Sequence, residues 1–245
     1  MNKPKILVWD IETAGNIVYT FQIGRKVSIS HEQILKEKRI ITICWKIVGE
    51  KKVHSLQWDS KQDDKKMISE FIKVLNSVDV AVGHNGDNFD LKTLKARALF
   101  HKLPPITNIA TIDTLKISRQ NFRLNSHRLD YISKYLGSKG KMDTGGLRLW
   151  LDVEKGNKAA LNKMVKYCKQ DVTELETVLL EILPYCSRMP VNMSIIKNGD
   201  KTGCPMCGGT HYHKHGFYQS RANRYQKYKC QDCGHVFKTG RPDRI

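Results

Sequence analysis

Hydrophobic positions along the chain follow two rhythms, and the change from one to the other predicts the architecture. Ile6, Leu7, Val8 and Trp9 form a short apolar run that reads as a buried strand. Residues 40–48 (IITICWKIV) are β-branched and read as a second strand. Residues 53–59 (VHSLQWD) alternate and pair with it as a hairpin across the turn GEKK. Apolar residues at 67, 68, 71, 72 and 75 make a helical stripe. DVAVGHN predicts a further strand running into the loop GDNFD, LKTLKARALFHKL a helix ended by Pro104 and Pro105, and IATIDTL a last strand.

From there to Pro184 the pattern is helical. SHRLDYISKYLG offers Ser126 as a cap and Gly137 as a terminator. A longer helix places Leu161, Met164, Val165, Cys168, Val172, Leu175, Val178, Leu179 and Ile182 on one stripe. Strands first, then strands alternating with helices, then helices, indicate an α/β domain with a mixed sheet. Two stretches carry no such rhythm: a polar, basic excursion over 16–39, and residues 185–203, which read as a linker. The predicted division is a domain over 1–184, that linker, and a small unit over 204–245. No internal repeat is seen.

The formal charge of +18 changes the picture of the partner, because such an excess favours a polyanion, most often nucleic acid. It is concentrated at the end: residues 201–245 hold nine Lys/Arg against two Asp/Glu. A hydrophobic content of 40% supports a real core, and no apolar run approaches the roughly 18 residues of a membrane span. The opening MNKPKILVWDIE meets acids too soon for a secretory h-region, so a cytoplasmic location is expected. An odd count of seven cysteines agrees with a reducing compartment and with metal thiolates rather than disulfides.

Candidate chemistry starts where the first strand ends. Asp10 and Glu12 are two apart on a strand, so they share a face, and their repulsion calls for solvent, a proton or a cation. A bare acid pair at an exposed strand end is the plainer explanation. HNGDNFD (84–90) follows a strand, with Asp90 opening a helix, which capping alone would explain. Tyr167 and Asp171 in YCKQD are four apart and share a helix face.

D-x-E on a first strand, N-x-x-x-F-D after a later one and Y-x-x-x-D on a C-terminal helix together resemble the DEDD exonucleases, of ribonuclease H-like fold. The tyrosine marks the branch that includes polymerase proofreading domains; the other branch has His where this chain has Lys166. The wording DTLKIS…SHRLDYISKYLG with KYCKQDVTELE is most similar to family-B polymerase exonuclease domains. The resemblance implies a 3′→5′ exonuclease on single strands, DNA favoured and RNA open, with two Mg²⁺ or Mn²⁺ ions held by Asp10, Glu12, Asp90 and Asp171. It further implies that Asp10 bridges the ions, that Glu12 and Asp171 complete the water-side site, and that Tyr167 orients the attacking water. Asn85 and Phe89 fit the family's strand-binding positions. Ala14 departs from many relatives, leaving Thr13 to contact the terminal nucleotide. Other readings stand beside it: a ribonuclease or structure-selective nuclease on the same acids, and a non-catalytic nucleic-acid adaptor. GSKGKM (137–142) lacks the spacing of a phosphate loop and reads as a basic substrate loop.

Cys204, Cys207, Cys230 and Cys233 form C-x₂-C-x₂₂-C-x₂-C, four thiolates at the spacing of a structural Zn²⁺ ribbon. The connecting segment, HYHKHGFYQSRANRYQKYKC, interleaves rings with cations, the composition of a single-strand platform; Lys227 and Lys229 are its candidate contacts. The plainer alternative makes the rings a mini-core and the cations a solvated face. A replication or repair protein is a second class of partner. A nuclease followed by a ribbon resembles small phage-encoded proteins, which would place the chain in a host cytoplasm.

Overall fold

The structure, a computed structural model, describes residues 4–24, 26–138, 142, 144–186, 190–199 and 201–238. In chain order the elements begin with β1 (Ile6–Ala14), β2 (Ile17–Val18), β3 (Ile34–Lys36), β4 (Arg39–Ile47) and β5 (His54–Gln57). They continue through α1 (Lys65–Leu75), β6 (Val80–Gly83), α2 (Asp90–Phe100) and β7 (Ala110–Asp113) to α3 (Thr114–Asn121) and α4 (Leu129–Tyr135). Then come α5 (Leu147–Glu154), α6 (Lys158–Ile182) and α7 (Met193–Asn198), before the terminal strands β8 (Tyr212–Gln219), β9 (Arg224–Cys230) and β10 (Val236–Lys238).

The main sheet runs β5-β4-β1-β6-β7. β1 is antiparallel to β4 and parallel to β6, so the sheet is mixed, as the order of sequence rhythms implies. β1 is apolar on both faces because both are covered. Leu7, Trp9 and Ile11 join Ile68 and Phe71 of α1 and Leu94 of α2 in one core. Val8 points the other way, into a core with Cys168, Val172 and Leu175 of α6. Asn157 caps α6 by accepting from the Ala159 and Ala160 N–H groups, and the predicted stripe faces the sheet.

One buried ion pair ties these layers together. Asp64 accepts from Arg97 Nε and Nη2 at 2.8 Å, from the Ile40 N–H at 2.9 Å and from His101 Nε2 at 2.6 Å. Burial alone would raise its carboxyl, but the bonds from Arg97, Ile40 and His101 outweigh that and hold it below the usual carboxylate range.

Three expectations change. The excursion over 16–39 contains a small hairpin, β2 with β3, closed by Tyr19 N–H on Gln33 O at 2.9 Å. Ser126 is not the cap of α4: that helix starts at Leu129 behind Arg128, and Ser126 Oγ accepts the Arg128 N–H in a preceding turn. The segment 185–203 holds α7, capped by Asn192 and ended by Gly199 in the left-handed region. Six residues are too few to display a helical period. Lys139, Gly140 and Lys141 of the expected basic loop lie outside the described residues.

β8, β9 and β10 form the small terminal sheet. Its first cysteine knuckle is fastened to α7: the Met193 N–H bonds Pro205 O at 2.9 Å, the Gly203 N–H bonds Ser194 Oγ at 2.8 Å, and Asn198 Nδ2 bonds Gly208 O at 2.9 Å. An apolar cleft of about 310 Å³ remains where Met206 and Met193 meet Ile6, Leu179 and Leu183. No described helix is long and apolar enough to cross a membrane.

Candidate active site

The alternation that sends Leu7, Trp9 and Ile11 to one face of β1 sends Val8, Asp10 and Glu12 to the other, toward α6. There Asp171, 4% exposed, faces the strand from the helix. One oxygen from each of Asp10, Glu12 and Asp171 lies within 4.8 Å of the others. A β-bulge between Glu12 and Thr13 follows at once. Beyond it the Thr13 carbonyl accepts the Trp150 indole N–H at 3.1 Å, fixing the end of β1 against α5.

Asp90 reaches this place by another route. β6 pairs with β1 only through Val8, so the Ile11 amide on that edge has no strand partner, and Asp90 Oδ1 accepts it at 3.3 Å. Asp90 is thus anchored to the residue between Asp10 and Glu12, although it lies outside their three-oxygen cluster. Burial pushes its carboxyl up to about 7; the nearby Asp113 charge adds to this, against bonds from its own and the Ile11 amide. The loop that delivers it is tight. A Cβ on Gly83 would lie 2.8 Å from Gly86 Cα, and Asn85 adopts φ 67°. The Asn85 N–H is taken by Asp113, which also caps α3.

In metal-free solution the raised carboxyl carries a stability cost with a definite sign. Its folded-state value, about 7, lies above the ordinary 3.8, so its contribution is fully present below pH 3.8 and lost as pH rises through 7. Asp90→Asn is therefore expected to raise the melting temperature at pH 8 and leave it nearly unchanged at pH 4. Calorimetry at the two pH values checks this, and a lower melting temperature at pH 8 would contradict it.

Asp10, Asp171, Tyr167 and Asn85 line one open cleft of about 870 Å³. Phe89 stands 37% exposed with Lys38 Nζ 5.3 Å from its ring centre, so it is not a core residue. Sequence reasoning missed the cationic part of the lining, where Arg119 of α3, Arg128 just before α4 and Lys134 of α4 meet the cleft. It also took Cys168 for stripe alone. The thiol lies 3.5 Å from the Asp10 carbonyl and 3.7 Å from Asp10 Oδ2, and burial together with Cys44 and the Asp10 charge pushes it well above its ordinary value. Its place three residues before Asp171 was the available signal.

The four ribbon cysteines converge, with Cys204 and Cys233 sulfurs 3.7 Å apart and those of Cys207 and Cys230 3.6 Å apart. Disulfides need about 2.05 Å, so these are separate thiols around a point. Asp63, Asp64 and His101 also stand close, but Arg97 already answers the Asp64 charge. Lys227 and Lys229 lie on β9, away from the carboxylates in sequence and in sheet.

Three comparisons bear on this arrangement. The chain is 25% identical over 142 residues to a DNA polymerase of Archaeoglobus fulgidus, covering 50% of this chain and 18% of the polymerase. It is 30% identical over 136 residues to a PolC-type DNA polymerase III of Ureaplasma parvum, covering 52% and 9%. The chain thus spans under a fifth of either relative. Among solved structures, the family B DNA polymerase of Pyrobaculum calidifontis matches 91% of this chain and 32% of its own, with a TM-score of 0.55 at 14% identity, a likeness of fold. The family model described as the RNase_H superfamily matches residues 31–182, from the excursion to the end of α6, taking in Asp90, Tyr167 and Asp171. The mixed sheet, the helix carrying Asp171 across its face and that match agree: the chain belongs to the RNase_H superfamily.

Proposed function

We propose that the chain is a metal-dependent 3′→5′ exonuclease that hydrolyses single-stranded nucleic acid, DNA in preference to RNA. The observation that carries this is the meeting of Asp10, Glu12 and Asp171 oxygens within 4.8 Å, two of these acids lining a cleft with Tyr167. Two of the similar proteins are DNA polymerases, and the reading takes the matching segment to be their exonuclease domain.

The donor set fits Mg²⁺ or Mn²⁺. All are hard carboxylate oxygens, and with Asp90 they bring four negative charges to offset two divalent cations. Bound there, such ions supply an ionised water and a counter-charge for the leaving 3′ oxygen. The chain's own groups do the rest. Tyr167 directs its hydroxyl at the attacking water, Asn85 and Phe89 hold the terminal nucleotide, and Thr13 completes its seat at the end of β1. Cys168 backs Asp10 as a neutral thiol and adds no charge of its own.

The ribbon cysteines fit Zn²⁺. Four bonds of about 2.3 Å in a tetrahedron set sulfurs roughly 3.75 Å apart, close to the 3.6 and 3.7 Å found. Burial pushes the Cys204 thiol up to about 11, so in the free protein it keeps its proton, and an ion would displace it.

The test uses single-stranded DNA, duplex DNA and RNA labelled at either end. Protein dialysed against EDTA and resupplied with zinc should leave all three intact. Mg²⁺ or Mn²⁺ should restore release of mononucleotides from 3′ ends, fastest on single-stranded DNA. Faster digestion of RNA would make the chain a ribonuclease. Binding without cleavage under every metal would make it an adaptor.

A further inference from the structure

The ribbon sheet sorts its side chains in a way the linear sequence does not reveal. Across β8, β9 and β10, Tyr212 pairs with Cys230, Lys214 with Tyr228 and Phe237 with Tyr228, which places these on one face. Tyr212, Tyr228 and Phe237 pack there with ring centres 5.2, 5.4 and 5.8 Å apart. That cluster is the ribbon's mini-core. Tyr218 pairs with Tyr225, Lys227 with Lys238 and His213 with Lys229, and these occupy the other face.

This second face is built against its own stability. Lys227 and Lys238 are direct cross-strand partners, and like charges placed opposite each other destabilise a sheet. Among the described residues from 201 to 238 the sole acid is Asp232, which lies 3.6 Å from His211. Lys238 Nζ instead sits 4.3 Å from the ring centres of both Tyr218 and Tyr225. Tyr218 remains 45% exposed although the mini-core does not need it. Cations without carboxylates, beside half-open rings, suit a ligand that brings phosphates and flat apolar bases together. An acidic peptide would answer the lysines and leave the rings unused.

We infer that the face bearing Tyr218, Tyr225, Lys227, Lys229 and Lys238 is a second, non-catalytic site for single-stranded nucleic acid, with phosphates on the lysines and bases on the tyrosines. Resting on the nuclease reading for its purpose, this site makes the protein bivalent: it retains a long strand while the 3′ end is processed in the cleft.

The experiment measures binding of a long single strand in the Asp10→Asn background, which prevents digestion, over a series of salt concentrations. Two double variants each change the charge by four units. Lys227→Glu with Lys229→Glu alters the inferred face; Lys214→Glu with Arg221→Glu alters the opposite face and the turn. All proteins are compared at equal zinc content per chain. The first pair is expected to weaken binding at least tenfold and to flatten the logarithmic salt slope by about 1.4, for two phosphate contacts. The second should stay within threefold of the parent. Tyr218→Ala with Tyr225→Ala should weaken binding roughly tenfold and leave the salt slope unchanged. Equal losses in the two charge pairs, or none in the first, overturn the inference. Equal affinity for a duplex of the same length overturns the stacking mode. In a cleaving background with a competitor strand as trap, the Lys227/Lys229 variant should release its substrate after fewer cuts. Because binding is read without cleavage, an inactive parent with face-specific binding would sink the nuclease reading alone, and an active parent without it would sink this inference alone.

Discussion

Asp10→Asn and Asp171→Asn should each lower turnover at least about a thousandfold, because a lost carboxylate removes several kcal/mol of transition-state stabilisation. Neither should unfold the protein. Three carboxylates within 4.8 Å repel one another when no cation lies among them, so removing one charge relieves the metal-free fold. The result expected is near-zero hydrolysis with a melting temperature equal to or above the parent's in the absence of divalent ions. Tyr167→Phe should be milder, since it loses a positioning hydroxyl and no metal ligand. Turnover within tenfold of the parent in either Asp variant would remove the carboxylate cluster from the mechanism. A Tyr167→Phe loss as large as that of Asp10→Asn would give the tyrosine a larger part than orienting water.

The largest stability effect should come from a residue outside the carboxylate cluster. Asp64→Ala leaves the Arg97 guanidinium without its two 2.8 Å bonds and strips the Ile40 amide of its acceptor. Breaking a buried pair from one side costs about 3–5 kcal/mol, which for a protein of this size lowers the melting temperature by roughly 10 °C. The pH dependence has the opposite sign to that of Asp90. Asp64 is held below its ordinary 3.8, so its stabilisation is present above that value and lost as pH falls through the folded-state value. The parent should therefore lose stability on acidification below about pH 4, and Asp64→Ala should lose less over the same interval. Equal acid sensitivity would show that other carboxylates govern acid unfolding.

Much of this was legible in the sequence. Period-two alternation gave β1 its two faces and so placed Asp10 and Glu12 together before any coordinates. The stripe from Leu161 to Ile182 correctly oriented α6, which set Asp171 toward the sheet. Local patterns could not show what depends on chain ends meeting. Asp64 and Arg97 are 33 residues apart, and nothing near either announces the other. Arg119, Arg128 and Lys134 reach one cleft from two short helices and the turn between them, and helices this short display little period. The ribbon segment displayed rings and cations as one mixture, and only strand register separates mini-core from open face. Tyr228 and Phe237 pack together on one face, while Tyr218 on the other is half open.

The fastening of the first cysteine knuckle to α7 gives the ribbon a part in keeping apolar surface covered. Pro205, Gly203 and Gly208 hold α7 through three hydrogen bonds, and α7 in turn presents Met193 to Leu179, Leu183 and Ile6. The seam is only partly filled, with about 310 Å³ left open beside the core in which Met193 packs with Leu179 and Ile182. Were thiol oxidation or a competing chelator to collapse the knuckle, α7 would lose those bonds and the apolar end of α6 would meet water. Damage at the four cysteines would then appear first as clumping of molecules whose carboxylate cluster is still in place.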